Sequence, residues 1–257
     1  MKLSDKNAVT QVQIFPLPGV PEVKPGDDLS RLIIAAARAQ DLRIAEADVF
    51  VVAQKIVSKA EGRIVRLDSI APSERAWDWA KTWNKDARVI ELVLREGKRI
   101  VKMERGVIIA ETRHGFVCAN AGVDVSNAND GTAILLPENP DASARTLQAQ
   151  LSAAFGVHVG IVISDTFGRA WREGLVNVAL GVAGVAPLID YRGQTDANGK
   201  LLQATIIAIA DEIASAAELV MGKADRIPVA IVRGLRMESR SGSGADLIRP
   251  AEKDLFR

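Results

Sequence analysis

Ile161-Val-Ile-Ser-Asp-Thr-Phe-Gly-Arg-Ala-Trp-Arg172 is the stretch on which the reading of this chain turns. A nearly continuous β-branched run, Val157 to Ile163, leads into it. A run of that kind, with no polar alternation, predicts a buried strand. The strand ends on Asp165 and Thr166, and Gly168 follows. Carboxylates at the carboxyl end of a buried strand stand where open sheets bind their ligands. A carboxylate beside a hydroxyl suits a hard divalent cation, which takes oxygen ligands. Arg169 and Arg172, three apart, could meet phosphate oxygens. The same Asp-Thr pair would equally serve to start a turn or cap a helix, and this segment alone leaves both open.

Strand-like and helix-like patterns mix on either side of this run. Val12 to Phe15 is a short β-prone stretch, closed by the Pro/Gly-rich segment Pro16 to Gly26. Asp27 or Asp28 can cap a helix over Leu29 to Gln40, where Leu32, Ile33, Ala36 and Ala37 recur at helical spacing. Asp48-Val-Phe-Val-Val-Ala reads as a buried strand. Ser73 can cap a helix that puts Trp79 and Trp83 on one face, and Val89 to Arg95 reads as another helix. Gly106 to Thr112 and Gly115 to Ala119 read as two strands around a turn. Asp141 can cap a helix that ends at Gly156. Leu201 to Met221 reads as a long alanine-rich helix with Asp211, Glu212 and Glu218 outside its apolar face. Pro228 to Val232 reads as a last strand, and the tail from Glu238 as a mobile loop. No repeat and no sharp linker shows, so a second domain would be interwoven with the first.

Two further segments could carry chemistry. Cys118-Ala-Asn-Ala-Gly-Val-Asp-Val-Ser-Asn127 crowds Asn120, Asp124, Ser126 and Asn127 after an apolar strand, and Gly122 lets a backbone approach closely. It is either an Asx-rich turn or a set of oxygen ligands. If it meets Asp165 in space, the two segments could hold one or two Mg²⁺ or Mn²⁺ ions. Ala53-Gln-Lys-Ile-Val-Ser-Lys-Ala-Glu-Gly62 places Gln54, Lys55 and Lys59 after a strand. Lysine is a point charge suited to a triphosphate, although a solvated strand end would look the same. There is no Walker-type loop and no Rossmann glycine fingerprint. Of the two histidines, His158 reads as a packed side chain in an apolar strand. His114 sits in a turn from which it could touch substrate. Cys118 lacks a nucleophile motif and reads as a small buried hydrophobe. Trp77, Trp79 and Trp83 read as core or subunit contact.

Composition narrows the function classes. Lys+Arg number 33 and Asp+Glu 32, a formal net charge of +1, which argues against a broad electrostatic grip on nucleic acid or anionic lipid. Aromatic residues are 4%, a poor stacking platform for single strands. One cysteine excludes an internal disulfide and argues strongly against a cysteine-based zinc cage. No signal-peptide core or membrane-length apolar run appears, which predicts a cytoplasmic protein without a membrane partner.

In this order, the segments resemble the coenzyme F420-0:L-glutamate ligase family, also called F420 gamma-glutamyl ligases. The matching stretches are Pro25 to Asp28, Val51 to Gly62, Glu111 to Asp124, Ser164 to Arg169, Ala210 to Ala214, Glu218 to Gly222 and Val232 to Leu235. The resemblance implies an α+β fold of mixed sheets and packed helices, with two interwoven subdomains in a single ligase domain over 1–257. It implies no C-terminal reductase-like domain. It also implies a homodimer, and a GTP-dependent addition of L-glutamate to a deazaflavin coenzyme precursor, often followed by a second, γ-linked glutamate. Mg²⁺ or Mn²⁺ would be required, and K⁺ would help. By position, Asp124, Asp165 and Thr166 match the family's metal contacts. Asn127, Lys59, Gln54 and Lys55 match nucleotide contacts, as do the early loop Val20, Pro21, Glu22 and Val23 and the later stretch Met221, Gly222 and Lys223. Phe167 stands where many archaeal members have Asn, and Gln54 and Lys55 where they have small hydroxylated residues. A metal-dependent phosphohydrolase on the same acidic pair, and a non-catalytic nucleotide or deazaflavin binder, are the competing readings.

Overall fold

The computed structural model describes residues 11–125, 131–235 and 241–255. In chain order its elements are β1 (Gln13–Pro16), α1 (Leu29–Ala39), β2 (Val49–Ala53), α2 (Gln54–Ala60), β3 (Ile64–Arg66), α3 (Glu74–Trp83), α4 (Ala87–Glu96), β4 (Gly97–Glu104), β5 (Val107–Thr112), β6 (Val117–Ala119), β7 (Thr132–Ile134), α5 (Pro140–Phe155), β8 (Gly160–Gly168), β9 (Leu175–Ala183), β10 (Ile189–Asp190), β11 (Ile206–Ile207), α6 (Ile209–Met221) and β12 (Val229–Arg233). This is an α+β fold with mixed and antiparallel sheets.

The main sheet has the order β1-β12-β2-β8-β9. β2 and β8 run parallel, while the other pairs are antiparallel. Helices cover both faces, which is why β2 and the first half of β8, up to Ile163, are apolar without a break. On β2, Phe50 and Val52 face a cluster with Ile33 of α1, Val57 of α2 and Leu151 of α5. Val49 and Val51 face the opposite cluster, built on Ala210, Ile213, Ala214 and Ala217 of α6. A third cluster packs α3 and α4 against the β4-β5-β6 sheet through Ala76, Ala80, Ile90, Val93, Ile108 and Ala110.

The helix starts follow local chemistry. Asp28 Oδ1 accepts from Arg31 N at 3.1 Å, and Ser73 Oγ accepts from Ala76 N at 3.3 Å. For α5 the cap is Asn139, which accepts from Ala142 N at 3.0 Å and is followed by Pro140. The expected cap, Asp141, reaches elsewhere: its Oδ1 accepts from Val182 N at 2.9 Å and from Gly244 N at 2.8 Å, tying α5 to β9 and to the chain near its end.

Three further expectations are corrected. Helix α6 starts at Ile209, because Ile206 and Ile207 pair with β10 as a strand and Leu201 bridges to Thr195. Asp211, Glu212 and Glu218 lie outside the buried apolar face of α6, as expected, and two of them bond to β9. Asp211 accepts from Ala179 N at 2.8 Å, and Glu218 bonds Asn177. His158 lies ahead of β8 and is exposed, with Nδ1 3.2 Å from Gln148 Nε2. In the tail, residues 236–240 lie outside the described residues. Beyond them Ser243 caps a 3-10 turn, Gly244–Leu247, whose Gly244 is buried. The three tryptophans do not share one role: Trp79 packs on the third cluster, and Trp77 is half exposed.

Candidate active site

Strand register brings the site together. Ala53 stands opposite Ser164 in the parallel pair, so the residues that follow each of them emerge at one edge of the sheet. Past Ala53 the chain turns directly into α2, not into a solvated strand end, so Gln54 and Lys55 stand in its first turn. Past Ser164 the strand simply continues. β8 runs through Asp165 and Thr166 to Gly168, so these two residues form neither a turn nor a helix cap. The antiparallel strand β12 begins at the same edge, with Ala53 N donating to Pro228 O at 2.9 Å. β1 ends there too, since Leu17 N donates to Val229 O, which delivers the loop Val20 to Val23.

A cavity of about 930 Å³ opens at this edge. Val20, Pro21, Glu22, Val23, Gln54, Lys55, Lys59, Asp165, Thr166, Met221, Gly222 and Lys223 all line it. A contiguous cavity of about 420 Å³ shares Gln54, Lys55, Asp165, Thr166 and Lys223 and adds Asp124. The two acidic segments therefore meet in space. Asp124 is held by reciprocal backbone bonds with Ile134, at 2.9 and 2.8 Å. The turn before it needs glycine, because a Cβ on Gly122 would stand 2.5 Å from Leu136 Cγ and its φ is +74°.

Cations already sit against the acids. Lys55 Nζ lies 2.5 Å from Asp124 Oδ2, and Lys223 Nζ donates to Thr166 Oγ1. Burial lifts the Asp165 carboxyl to about 6. The Thr166 backbone N–H and Lys55 pull it down, Asp124 pushes it up, and Lys223 lowers it. On the far side of the larger cavity, Lys59 Nζ pairs with Glu22 Oε1 at 2.5 Å. The donor set suits a hard divalent cation: two carboxylates and a hydroxyl, with no imidazole among the described lining residues. Among the described residues no three His, Cys, Asp or Glu side chains form a complete cage. Magnesium is commonly held by one or two carboxylates, with substrate phosphates and water as its other ligands.

Of the other candidates, the two arginines and His114 line neither cavity, and Cys118 lines the smaller one. Arg169 turns back, donating to the Glu173 carbonyl, and Arg172 is exposed; neither lines the cavity. Their hairpin carries them past the sheet edge. His114 Nε2 is 3.0 Å from Glu138 O, and burial lowers its pKa, so it packs instead of facing the site. Cys118 is buried and its thiol is pushed up to about 12, by burial first and then by the charge of Asp165, which leaves it inert. Asn127 and Ser126 lie outside the described residues. Asn177 and Glu218 also line the larger cavity. The signal for Asn177 was one amide in the otherwise apolar run Leu175–Ala183.

The family model described as F420-0:Gamma-glutamyl ligase matches residues 19–234. The chain is 45% identical to the coenzyme F420:L-glutamate ligase of Methanothermobacter thermautotrophicus, over 96% of this chain and 99% of the relative. It is 47% identical to the protein of that name from Methanopyrus kandleri, over 96% and 98%. The Methanocaldococcus jannaschii protein of that name is 47% identical over 83% and 86%.

Proposed function

The chain belongs to the F420-0:gamma-glutamyl ligase family and is an enzyme, a ligase. From that premise we propose that it joins L-glutamate to the carboxylate of the deazaflavin precursor F420-0, with GTP as the phosphoryl donor. The observation that carries the reading is the meeting of Asp124 and Asp165, distant in sequence, in a cavity continuous with one lined by Lys55, Lys59 and Lys223.

The chemistry needs such a site. A carboxylate is a poor acyl donor, because its leaving group would be oxide. An oxygen of the F420-0 carboxylate attacks the γ-phosphorus of GTP, the bond to the β-phosphate breaks, and GDP leaves with that electron pair. The glutamate amine then attacks the acyl phosphate carbon, expels inorganic phosphate and loses a proton. Phosphoryl transfer rests on positioning and charge neutralisation, so ammonium groups and carboxylate-bound cations outweigh a classical nucleophile. Lys59 of α2 would reach the phosphates, while Lys55 and Lys223 hold Asp124 and Thr166, the groups that would take a cation. Asp124, Asp165 and Thr166 would hold Mg²⁺ or Mn²⁺, which supplies neutralisation of phosphate charge. A second, γ-linked glutamate can follow by the same steps. K⁺ assists, and the working unit is a homodimer, which the exposed Trp171 and Leu175 of the β8–β9 hairpin suit. The reaction takes place in the cytoplasm, where GTP is available and a free thiol such as Cys118 persists. Among the described residues no helix is long and apolar enough to cross a membrane.

Mass spectrometry of products tests the proposal. With F420-0, glutamate, GTP and Mn²⁺ together, a glutamyl amide should form with equimolar GDP and phosphate. GTP turnover that yields no amide and ignores glutamate would instead mark a phosphohydrolase. Ligand binding without turnover would mark a binding protein.

A further inference from the structure

Resting on that reading, we infer that Asn177 and Glu218 are positioning residues that fix the Thr166 hydroxyl as an acceptor toward the cation-binding cavity. Thr166 and Asn177 are paired across β8 and β9, which sets their side chains beside each other. Thr166 Oγ1 lies 2.7 Å from Asn177 Oδ1, and Asn177 Nδ2 lies 2.9 Å from Glu218 Oε2. Ser215 Oγ donates to the Asn177 carbonyl at 2.7 Å, so α6 anchors this point of β9 twice. Asn177 is 4% exposed, so its amide is largely shielded from solvent.

The direction of this chain is forced. An ionised Glu218 can only accept, so it takes the NH₂ end of Asn177. The carbonyl end then faces Thr166 and has no hydrogen to give, so Thr166 must donate to it. The hydroxyl's single proton is thereby used. Toward the cavity Thr166 Oγ1 offers lone pairs alone, and Lys223, a donor without lone pairs, already sits on them. A divalent ion wants the same thing, an oxygen with no proton in the way. Both ends of the device belong to one helix and its exit: Glu218 lies in the last turn of α6, and Lys223 follows Gly222. At φ 58° and ψ 155°, Gly222 takes a conformation that other residues strongly disfavour.

The test reads Mn²⁺ binding directly, by the electron paramagnetic resonance signal of the free ion titrated into protein with GDP, alongside the Mn²⁺ dependence of product formation. Asn177→Ala and Glu218→Ala should each raise the half-saturating Mn²⁺ concentration about tenfold or more, and leave the KM for glutamate unchanged. Glu218→Gln removes the same charge as Glu218→Ala but keeps an acceptor facing Asn177, so it should recover most of the loss. A purely structural role would lower the unfolding temperature and leave the titration alone. An unchanged titration in folded Glu218→Ala, equal losses in the Gln and Ala variants, or a wild-type protein that leaves Mn²⁺ free would each overturn the inference. Product analysis separates the two readings. Wild-type protein that makes no amide removes the ligase proposal, while the titration shifts, where present, uphold the role of Asn177 and Glu218.

Discussion

Burial lifts the Asp165 carboxyl to about 6, so at neutral pH this side chain is ionised where charge is disfavoured. A cation offsets that penalty, which makes Asp165 a group whose charge serves binding more than folding. Asp165→Asn should therefore leave the unfolding temperature in metal-free buffer at or above that of the wild type. It should cut the rate of amide formation at least ~100-fold, because a carboxylate that would hold the cation is lost. Near-normal rates at saturating Mn²⁺ would remove Asp165 from the site. This residue was legible in the sequence because it ends a β-branched run, and Asp124 because it stands in a cluster of oxygen side chains. Asn177 was not: its meaning depends on Glu218, a partner on another element, and in the sequence it reads as a lone interruption of an apolar strand. Arg169 shows the opposite failure. It has the right charge at the right spacing, but its guanidinium folds back on the Glu173 carbonyl.

Elements were legible where a local signal settles them. Asp28 and Ser73 cap the helices assigned to them, and β-branched runs became β2 and β8. The start of α6 was not legible, because apolar residues from Leu201 onward fit helical spacing while Ile206 and Ile207 are claimed by β10. The α3–α4 pair shows how a cap gains a tertiary partner. Ser73 caps α3, and its backbone N–H donates to Glu91 Oε2 of α4 at 2.9 Å. The Ser73 hydroxyl, then this N–H, then Arg95 hold the Glu91 carboxyl down to about 2, from an ordinary 4.5. A folded-state pKa below the unfolded one means that the contribution is present above pH 4.5 and is lost as pH falls toward 2. Screened by solvent, it is worth about 1 kcal/mol. Glu91→Ala should therefore lower the unfolding temperature at pH 7 by about 2–4 °C. In a calorimetric series the gap from wild type should close between pH 4.5 and 2, and a gap that is constant with pH would show that the carboxylate contributes nothing there.

Across the whole molecule, the two edges of the main sheet divide the labour. The site occupies the edge where β2 and β8 end, and the opposite edge is closed by a buried ion pair. Asp48, fully buried, accepts from Arg233 Nε at 2.8 Å and Nη2 at 2.6 Å, and from Ala45 N at 2.8 Å. Arg233 also donates to the Arg43 carbonyl at 2.7 Å and lies over the Phe15 ring, 5.0 Å from its centre. It thus ties the end of β12 to the start of β2 and to β1. Arg233→Ala would strand a buried carboxylate, a loss of about 3–5 kcal/mol, which corresponds to an unfolding temperature lower by on the order of 10 °C. Val232 pairs with Val49 while the site lies beyond Ala53, so the strand pairing between them should keep the site in place in the folded fraction. Below the transition, then, the variant should keep wild-type KM values for nucleotide and glutamate while its thermal midpoint drops. A raised nucleotide KM with an unmoved midpoint would reverse the assignment, making the Asp48 edge part of the site and not its support.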